Sequence, residues 1–595
     1  MRKFVITSDD EAQGIVEEIY SDLERRLKAS PPDVCPVTTA AVFLKQCGSQ
    51  TCGKCVPCRI GLVRLEEMIE EILDGEADLK TIDIISQTAK NIVDSADCAI
   101  GIEAADMVLR GTLAFRDDYI SHALGQGCVV RERTPIPCVS RCPANVNIPG
   151  YIALIRDGRY ADAVRLIRKD NPFPAVCGII CEHPCEKRCR RSMVDDAINI
   201  RGLKRFAYEN AGPVPMMGCA ESTGKKVAVV GGGPSGLTTA YFLSLMGHDV
   251  TIYERREKLG GMLRYGIPSY RLPREILDDE INSILSVGID AKLGIALGED
   301  ITMDELSDSY DSVYLSIGAH GSKSLNIEGE GLEGVFSAVE MLKGIGDENM
   351  PDFSGKNVVV IGGGNVAMDV TRTAKRLGAS KVTCVYRRRR QDMTALEEEI
   401  EGTIAEGCEL LTLHSPVSIE GDESGKVIAF KVQRQMPSKV GRDGRPRPAS
   451  VKTEDPKIIP ADVVISAIGQ NVEKDLLASP GQAVQTGLTV SGGDCVSGPA
   501  TVILAIAAGK KAAQLIDKEL GFNHEIKVDV EIPHAIFQGN IACGRSNVTE
   551  RDAEERVKDF LGIENGLIME EAMQEATRCL RCDHYGFGEL KGGNL

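Results

Sequence analysis

The chain has 595 residues, 43% of them hydrophobic and 26% charged, with a net charge of −18 at pH 7, and is long enough for about three to five packed domains. The acidity argues against a nucleic-acid partner, no apolar run reaches the ~18 residues of a membrane span, and the opening MRKFVITSDDEAQG has no apolar signal core. Twenty cysteines without an export signal point to a cytoplasmic chain whose thiols hold metal rather than form disulfides.

In chain order, residues 8–30 predict a helix, ended by Pro31 and Pro32. The stretch SQTCGKCVPCRIG then supplies Cys52, Cys55 and Cys58, a helix LVRLEEMIEEIL follows, and Cys98 arrives in DSADCAIG. Three close thiols and one distant thiol suit a 4Fe-4S cluster, with glycine and proline keeping the loop out of a helix so that the sulfurs converge. A zinc site is the competing reading. Cys35, Cys47 and Cys128 read as ordinary buried thiols. The segment resembles the cluster domain of the flavin-bearing subunit of respiratory complex I and of related hydrogenase subunits, whose SCGxCxPCRxG and later CAxG are matched by Cys52, Cys55, Cys58 and Cys98. That resemblance implies a module borrowed as electron wiring, without the flavin and NADH domain that precedes it in those subunits.

The next segment, CVSRCPANVNIPGYIALIRDGRYADAVRLIRKDNPFPAVCGIICEHPCEKRC, is followed by INIRGLKRFA. It is similar to the helical two-cluster domain of the glutamate synthase small subunit and of dihydropyrimidine dehydrogenase, with Cys138, Cys142, Cys177, Cys181, Cys185 and Cys189 at matching positions. The opening CxxC of that family is absent ahead of Cys138, and the matching phrase stands at the far end of the chain, in EEAMQEATRCLRCDHYG. The resemblance implies a permuted cluster of Cys138, Cys189, Cys579 and Cys582, against the alternative of a local zinc or redox pair at Cys579 and Cys582. Where that family completes its second cluster with Gln or Glu, this chain has Lys204, and an ammonium has no lone pair to give. The partner of Cys142, Cys181 and Cys185 is therefore open: Cys177 is the nearest thiol, and a water, another side chain or a three-ligand cluster are the alternatives.

KKVAVVGGGPSGLTTAYFLSLMGHDVTIYE reads as strand, GxGxxG turn, helix and second strand, with Gly231, Gly233 and Gly236 at the turn and Glu254 at the end. Glycines allow close backbone approach to a pyrophosphate at the helix N-terminus, and the acid accepts ribose hydroxyls. KLGGMLRYGIPSYRLP, with Gly261 and Arg264, and GGDCVSGPATVILAIAAGKKAAQLI, with Asp494, resemble the flavin-contacting segments of the glutamate synthase family, so FAD is the expected occupant. KNVVVIGGGNVAMDVTRTAKRLGASKVTCVYRRRR repeats the unit with Gly362, Gly364 and Ala367. Here Tyr386 takes the acid's place and Arg387 and Arg388 follow, which suits the 2′-phosphate of NADP(H). A solvated or nucleic-acid-binding patch is the competing reading of the arginines.

The predicted fold class is α/β, two interleaved dinucleotide-binding (Rossmann-like) domains plus α-helical iron-sulfur domains. The expected division is 1–125 and 126–215 for the two helical cluster domains, 216–325 and 461–520 for a split FAD domain, 326–460 for the NADP(H) domain, and 521–595 for the segment returning the last CxxC, with DVVISAIGQ leading back to the flavin fold. With FAD, NADP(H) and three 4Fe-4S clusters, no acid-base catalytic residue is expected, because hydride passes directly between stacked rings. These resemblances imply a subunit of a complex joining NADP(H) to NADH and ferredoxin through partners like the complex I or hydrogenase flavin subunits, with electron bifurcation among its possible modes. A glutamate synthase small subunit and a non-catalytic wiring subunit are the other readings.

Overall fold

The computed structural model describes residues 12–20, 23, 35–124, 136–193, 195–440, 446–472, 489–535 and 543–583. Of the helix predicted over 8–30, residues 12–20 and 23 are helical, and the remainder, with Pro31, Pro32 and Cys128, lies outside the described residues.

The N-terminal module is all helical: α1 (Pro36–Gln50), a π-helical stretch Pro57–Leu62 running into α2 (Val63–Leu73), α3 (Leu79–Ser95), α4 (Ala99–Ala114) and α5 (Arg116–Ala123). Apolar residues at helical spacing on α2 and α3, among them Leu65, Met68, Ile69, Ile72, Ile82 and Ile85, form its own core with Phe43 and Leu44. One expectation is corrected here. Pro57 does not hold the loop out of a helix; it opens one, and Cys58 lies in that first turn, where proline costs no hydrogen bond because the N–H it lacks would have had no partner.

The second helical region comprises α6 (Pro137–Arg141), α7 (Ile148–Arg156), α8 (Tyr160–Arg168), α9 (Pro174–Ile180) and α10 (Ile200–Asn210). Asn147 and Asn199 cap α7 and α10 by accepting from the N–H groups of Gly150 and Gly202, which leaves the loops between helices free to carry cysteines. Its core is continuous with the first sheet: Tyr151, Ile167, Phe173 and Phe206 belong to one apolar cluster with Val227, Tyr241 and Ile506.

That sheet contains β1 (Lys226–Val230), β2 (Asp249–Glu254), β3 (Asp290–Leu293) and β4 (Ser312–Leu315), with α11 (Pro234–Leu245) joining β1 to β2, the four-residue α12 (Met262–Tyr265) after β2, and α13 (Arg274–Leu285) ahead of β3. The second unit has β5 (Val335–Ser337), β6 (Asn357–Ile361), α14 (Asn365–Arg376), β7 (Lys381–Tyr386), α15 (Glu397–Ala405) and β8 (Glu409–Thr412). An antiparallel group follows, β9 (His414–Gly421), β10 (Val427–Val440), β11 (Pro446–Ser450) and β12 (Lys457–Pro460), then β13 (Val463–Ser466). The chain finishes with β14 (Thr489–Ser491), α16 (Asp494–Ser497), α17 (Val502–Glu519) and α18 (Met569–Thr577).

The two five-stranded sheets run β14-β4-β1-β2-β3 and β5-β13-β6-β7-β8, all parallel. The second unit is thus inserted into the first. The segment DVVISAIGQ does not lead straight back to the flavin fold, as its strand β13 pairs Val464 with Val359 of β6 and with Val335 of β5. The boundary drawn at 460 therefore falls one strand early, and the return to the first sheet is made by β14, where Val490 pairs with Tyr314. Among the described residues, no helix is long and apolar enough to cross a membrane.

Candidate cofactor and cluster sites

In the N-terminal module, Cys52 and Cys55 lie in the loop before the π-turn, Cys58 within it, and Cys98 at the start of α4. Gly53 takes φ +70°, and a Cβ at Gly101 would come within 2.4 Å of Cys58 Sγ, so glycine lets α4 close on the thiol. Burial, a hydrogen bond with Cys55, and the neighbouring Cys98 and Cys52 thiols push Cys58 up. The four predicted thiols thus face one another, and an all-thiol set fits an iron-sulfur cluster.

The permuted set also comes together. Cys138, Cys189, Cys579 and Cys582 line one cavity with Ile148, Ile152 and Ile200, and burial followed by the thiols of Cys579, Cys189 and Cys582 pushes Cys138 well up. The fold holds the chain end there by buried ionic bonds that the sequence does not advertise. Glu575 accepts from Asn199 N at 2.6 Å and Ser546 N at 2.9 Å. Arg578 pairs with Glu575 at 2.6 Å and with Asp195 at 2.8 Å, and Arg191, itself paired with Asp195, donates to the Arg578 carbonyl at 3.3 Å.

Cys142, Cys177, Cys181 and Cys185 are all buried and surround the buried Lys204. Against burial, which disfavours its charge, the thiols of Cys177, Cys181, Cys142 and Cys185 hold the Lys204 ammonium above the ordinary lysine range. Cys177 faces Lys204, Cys181 and the Asn171 side chain, one helical turn before Cys181. Three thiols with Cys177 beside them fit a cluster site that includes a fixed cation.

The first dinucleotide turn is built for a close backbone approach. Gly231 has φ +105°, and a Cβ on Gly236 would lie 1.9 Å from Gly231 O. Gly233 opens α11 with only Gly261 Cα near its own Cβ position, at 3.8 Å, which leaves the helix N-terminus open to a pyrophosphate. Gly261, at φ +51°, packs against Gly233. Glu254 is buried at the end of β2 and accepts from Gly232 N at 2.7 Å and Arg256 N at 3.0 Å, which fixes its carboxylate beside the glycine turn. Arg264 turns elsewhere, donating to Leu259 O at 2.8 Å and pairing with Asp278. Burial pushes the Asp494 carboxyl up to about 6.

In the second turn, a Cβ on Gly362 would meet Ala467 O at 2.5 Å and the Ala367 Cβ at 3.0 Å, while one on Gly363 would meet the Tyr386 ring at 2.4 Å; Gly364 caps α14. Tyr386 is held by donating to Asp392 O at 2.8 Å. The four arginines after it divide. Arg389 pairs with Asp392 at 2.8 Å and Arg390 with Glu397 and Glu401, whereas Arg387 and Arg388 line a cleft.

That cleft, of about 1090 Å³, joins the sites. Its walls include Met262, Leu263 and Asp494 from the first unit, Gly362 to Val366 with Arg387 and Arg388 from the second, and Ile180 and Glu182 from the helical domain. Ile180 adjoins Cys181 in sequence, so the Lys204 site stands next to the cleft wall. Sequence reasoning missed the latch beside it: Asn365 Nδ2 donates to Glu182 Oε1 at 2.7 Å, and Arg201 pairs with Glu398 at 3.0 Å. No motif marks these residues; only the meeting of two domains does.

Residues 225–509 match the family described as pyridine nucleotide-disulphide oxidoreductase, 126–213 match dihydropyrimidine dehydrogenase domain II, 4Fe-4S cluster, and 38–122 match the NADH-ubiquinone oxidoreductase-F iron-sulfur binding region. Fold and site together define an iron-sulfur flavoprotein of the two-dinucleotide-domain class. The chain is 33% identical to the NADP(+)-dependent formate dehydrogenase subunit beta of Moorella thermoacetica over 95% of its own length and 93% of the relative's. It is 34% identical to the NADPH-Fe(3+) oxidoreductase subunit beta of Geobacter sulfurreducens over 91% and 90%. With the glutamate synthase [NADPH] small chain of Escherichia coli the identity is 34%, over 63% of this chain and 87% of that one. This chain belongs to the family of those beta subunits, and shares its central domains with the glutamate synthase small chain.

Proposed function

We propose that this chain is the NADP(H)-side flavin and iron-sulfur subunit of a cytoplasmic redox complex, passing electrons between NADP(H) and partner subunits through FAD and three 4Fe-4S clusters. NADH and ferredoxin are the couples proposed for the partner end. The observation that carries this reading is the single cleft on which the flavin-side Asp494, the nicotinamide-side Arg387 and Arg388, and Ile180 beside Cys181 converge. The names of the beta-subunit relatives support it, since each is a subunit and each is named for NADP(+) or NADPH.

The first glycine turn with Glu254 and Asp494 would hold FAD, and the second turn with Arg387 and Arg388 would hold NADP(H). When bound, FAD exchanges a hydride with nicotinamide and single electrons with clusters. The chain's own task is positional. Met262 and Leu263 give the cleft an apolar stretch of wall, and the Asn365–Glu182 bond sets the nicotinamide helix against the cluster loop. Lys204 would keep a positive charge beside the cluster nearest the cleft, which favours its reduced form. Proton transfer needs no dedicated acid or base, and we assign no catalytic side chain.

Reduction of the purified, cofactor-loaded chain by NADPH and by NADH, followed as bleaching of flavin absorbance, tests the reading. Bleaching by NADPH, with NADH markedly slower, is expected; an unbleached flavin would overturn it. The stoichiometry of NADH and ferredoxin reduced per NADPH in the whole complex decides whether the electron pair bifurcates. A glutamate synthase small subunit is disfavoured by the added helical module at 38–122, since that small chain covers 63% of this one.

A further inference from the structure

The strand order of the second sheet decides how a dinucleotide must lie along it. In β5-β13-β6-β7-β8 the glycine turn follows β6, Arg387 and Arg388 follow β7 on one side of that turn, and β13 and β5 end on the other. Ligands of such open parallel sheets lie across the carboxyl ends of the strands. A nucleotide with its pyrophosphate on the Gly362 turn and its 2′-phosphate on Arg387 and Arg388 therefore carries its nicotinamide end over β13 and β5.

Those two strands end in a matched pair of serines. Ser466 and Ser337 are direct register partners, and each has a buried hydroxyl oxygen with no hydrogen-bond partner among the described residues. Ser337 is also the N-cap of the helix Ala338–Gly346, with Glu340 three residues on as in a capping box, yet its side chain makes no cap bond. A buried hydroxyl left unpaired is costly, and two on neighbouring strands call for a common partner. Their place is at the cleft. Ser466 lines it, as do Ala338 and Val339 directly after Ser337, together with Met262 and Leu263 of the flavin-side unit.

We propose that Ser337 and Ser466 hold the carboxamide of the nicotinamide ring. A carboxamide offers a carbonyl acceptor and an amide donor group, and serine hydroxyls supply both kinds of partner, each reaching the cleft by turning about a single side-chain torsion. The first N–H groups of the helix Ala338–Gly346 have no partner within it and add donors for the carbonyl. The serines make and break no covalent bond; they set how the ring lies when hydride moves. The inference rests on the NADP(H) assignment proposed above and names the side chains that orient the reacting ring.

The test uses the full, cofactor-loaded chain with Ser337→Ala, Ser466→Ala and Ser466→Thr variants. Calorimetry measures binding of NADP⁺ and of 2′,5′-ADP, which carries the 2′-phosphate and no nicotinamide, and stopped flow measures flavin reduction at saturating NADPH. FAD content and the thermal transition confirm folding; should Ser337→Ala, at a helix start, fail to fold, Ser466→Ala carries the test. Each alanine variant is expected to bind NADP⁺ about tenfold more weakly and to reduce its flavin about tenfold more slowly, the scale of one hydrogen bond. Affinity for 2′,5′-ADP should be unchanged, and Ser466→Thr, which keeps the hydroxyl, should stay near wild type. The 3-acetylpyridine analogue of NADP⁺, which keeps the carbonyl and lacks the amide donors, should lose less than NADP⁺ does. Unchanged NADP⁺ affinity and rate would overturn the proposal, leaving the hydroxyls a role in the fold alone, as would a loss shared equally by 2′,5′-ADP or by the analogue. Failure of 2′,5′-ADP to bind wild type would sink the NADP(H) assignment itself, and is read separately from the variants.

Discussion

Arg387 and Arg388 differ from Arg389 and Arg390 only in what their neighbours offer. The latter two are paired with Asp392, Glu397 and Glu401, whereas Arg387 and Arg388 line the cleft proposed above for NADP(H). Arg387→Ala with Arg388→Ala should weaken NADPH by about 10- to 100-fold, the scale of one or two charge-assisted hydrogen bonds, and leave NADH nearly unchanged; titration of both nucleotides would show it, and equal loss would count against the assignment. His320 gives a pH prediction. Burial, then the charges of Arg255, Arg256 and Lys343, push it down to about 4 from 6.5. Because its folded value lies below the unfolded one, the stability linked to it is complete above pH 6.5 and is lost as pH falls from 6.5 toward 4. The urea midpoint of a His320→Gln variant should fall less over that window than that of wild type. The sorting of the arginines rests on nearby acids, Asp392, Glu397 and Glu401, whose pairing no motif marks, whereas the setting of His320 depends on residues from distant loops.

Single elements were the most legible part of the chain. Strand, glycine turn and helix follow from a continuous apolar run, a local need for φ above zero and a 3.6-residue period, all within about 30 residues. The spacing of Cys52, Cys55 and Cys58 is equally local. What misled was the helix they enter, because proline was read as a breaker when it opens the first turn. Strand β13 was assigned to the wrong sheet because its sequence says strand but not which neighbour it will pair with. The element with most at stake is α18, which carries Cys579 and Cys582 to Cys138 and Cys189. Cys579→Ser should lower iron by one cluster's worth while leaving FAD content unchanged; iron analysis that matches wild type would refute the permuted site.

At the scale of the molecule, buried charges tie together segments hundreds of residues apart. Glu406, fully buried, receives Arg372 at 2.6 Å, Arg376 at 2.5 Å and Arg556 at 2.9 Å, and Arg271 bridges Asp369 at 3.0 Å and Glu399 at 2.9 Å. The loop after α12, the nicotinamide unit and the C-terminal segment therefore share one network. Glu406→Gln takes the shared carboxylate from Arg376 while Arg372 keeps Glu399 and Arg556 keeps Glu550, and should cost about 3 kcal/mol, seen as a lowered thermal transition of the nicotinamide unit with the N-terminal module unaffected. The sequence by itself determined the two dinucleotide turns, the thiol-rich loops and the likeness to known cluster domains, because these are encoded in spacings along the chain. The meeting of Cys579 and Cys582 with Cys138 was implied by resemblance to a known domain and is reached in the fold through one shared cavity; tertiary structure alone decided how buried charges hold α18 there and that three domains open on one cleft. Those arrangements arise when buried apolar faces and paired charges close over one another, and no local pattern records which distant partner will satisfy them.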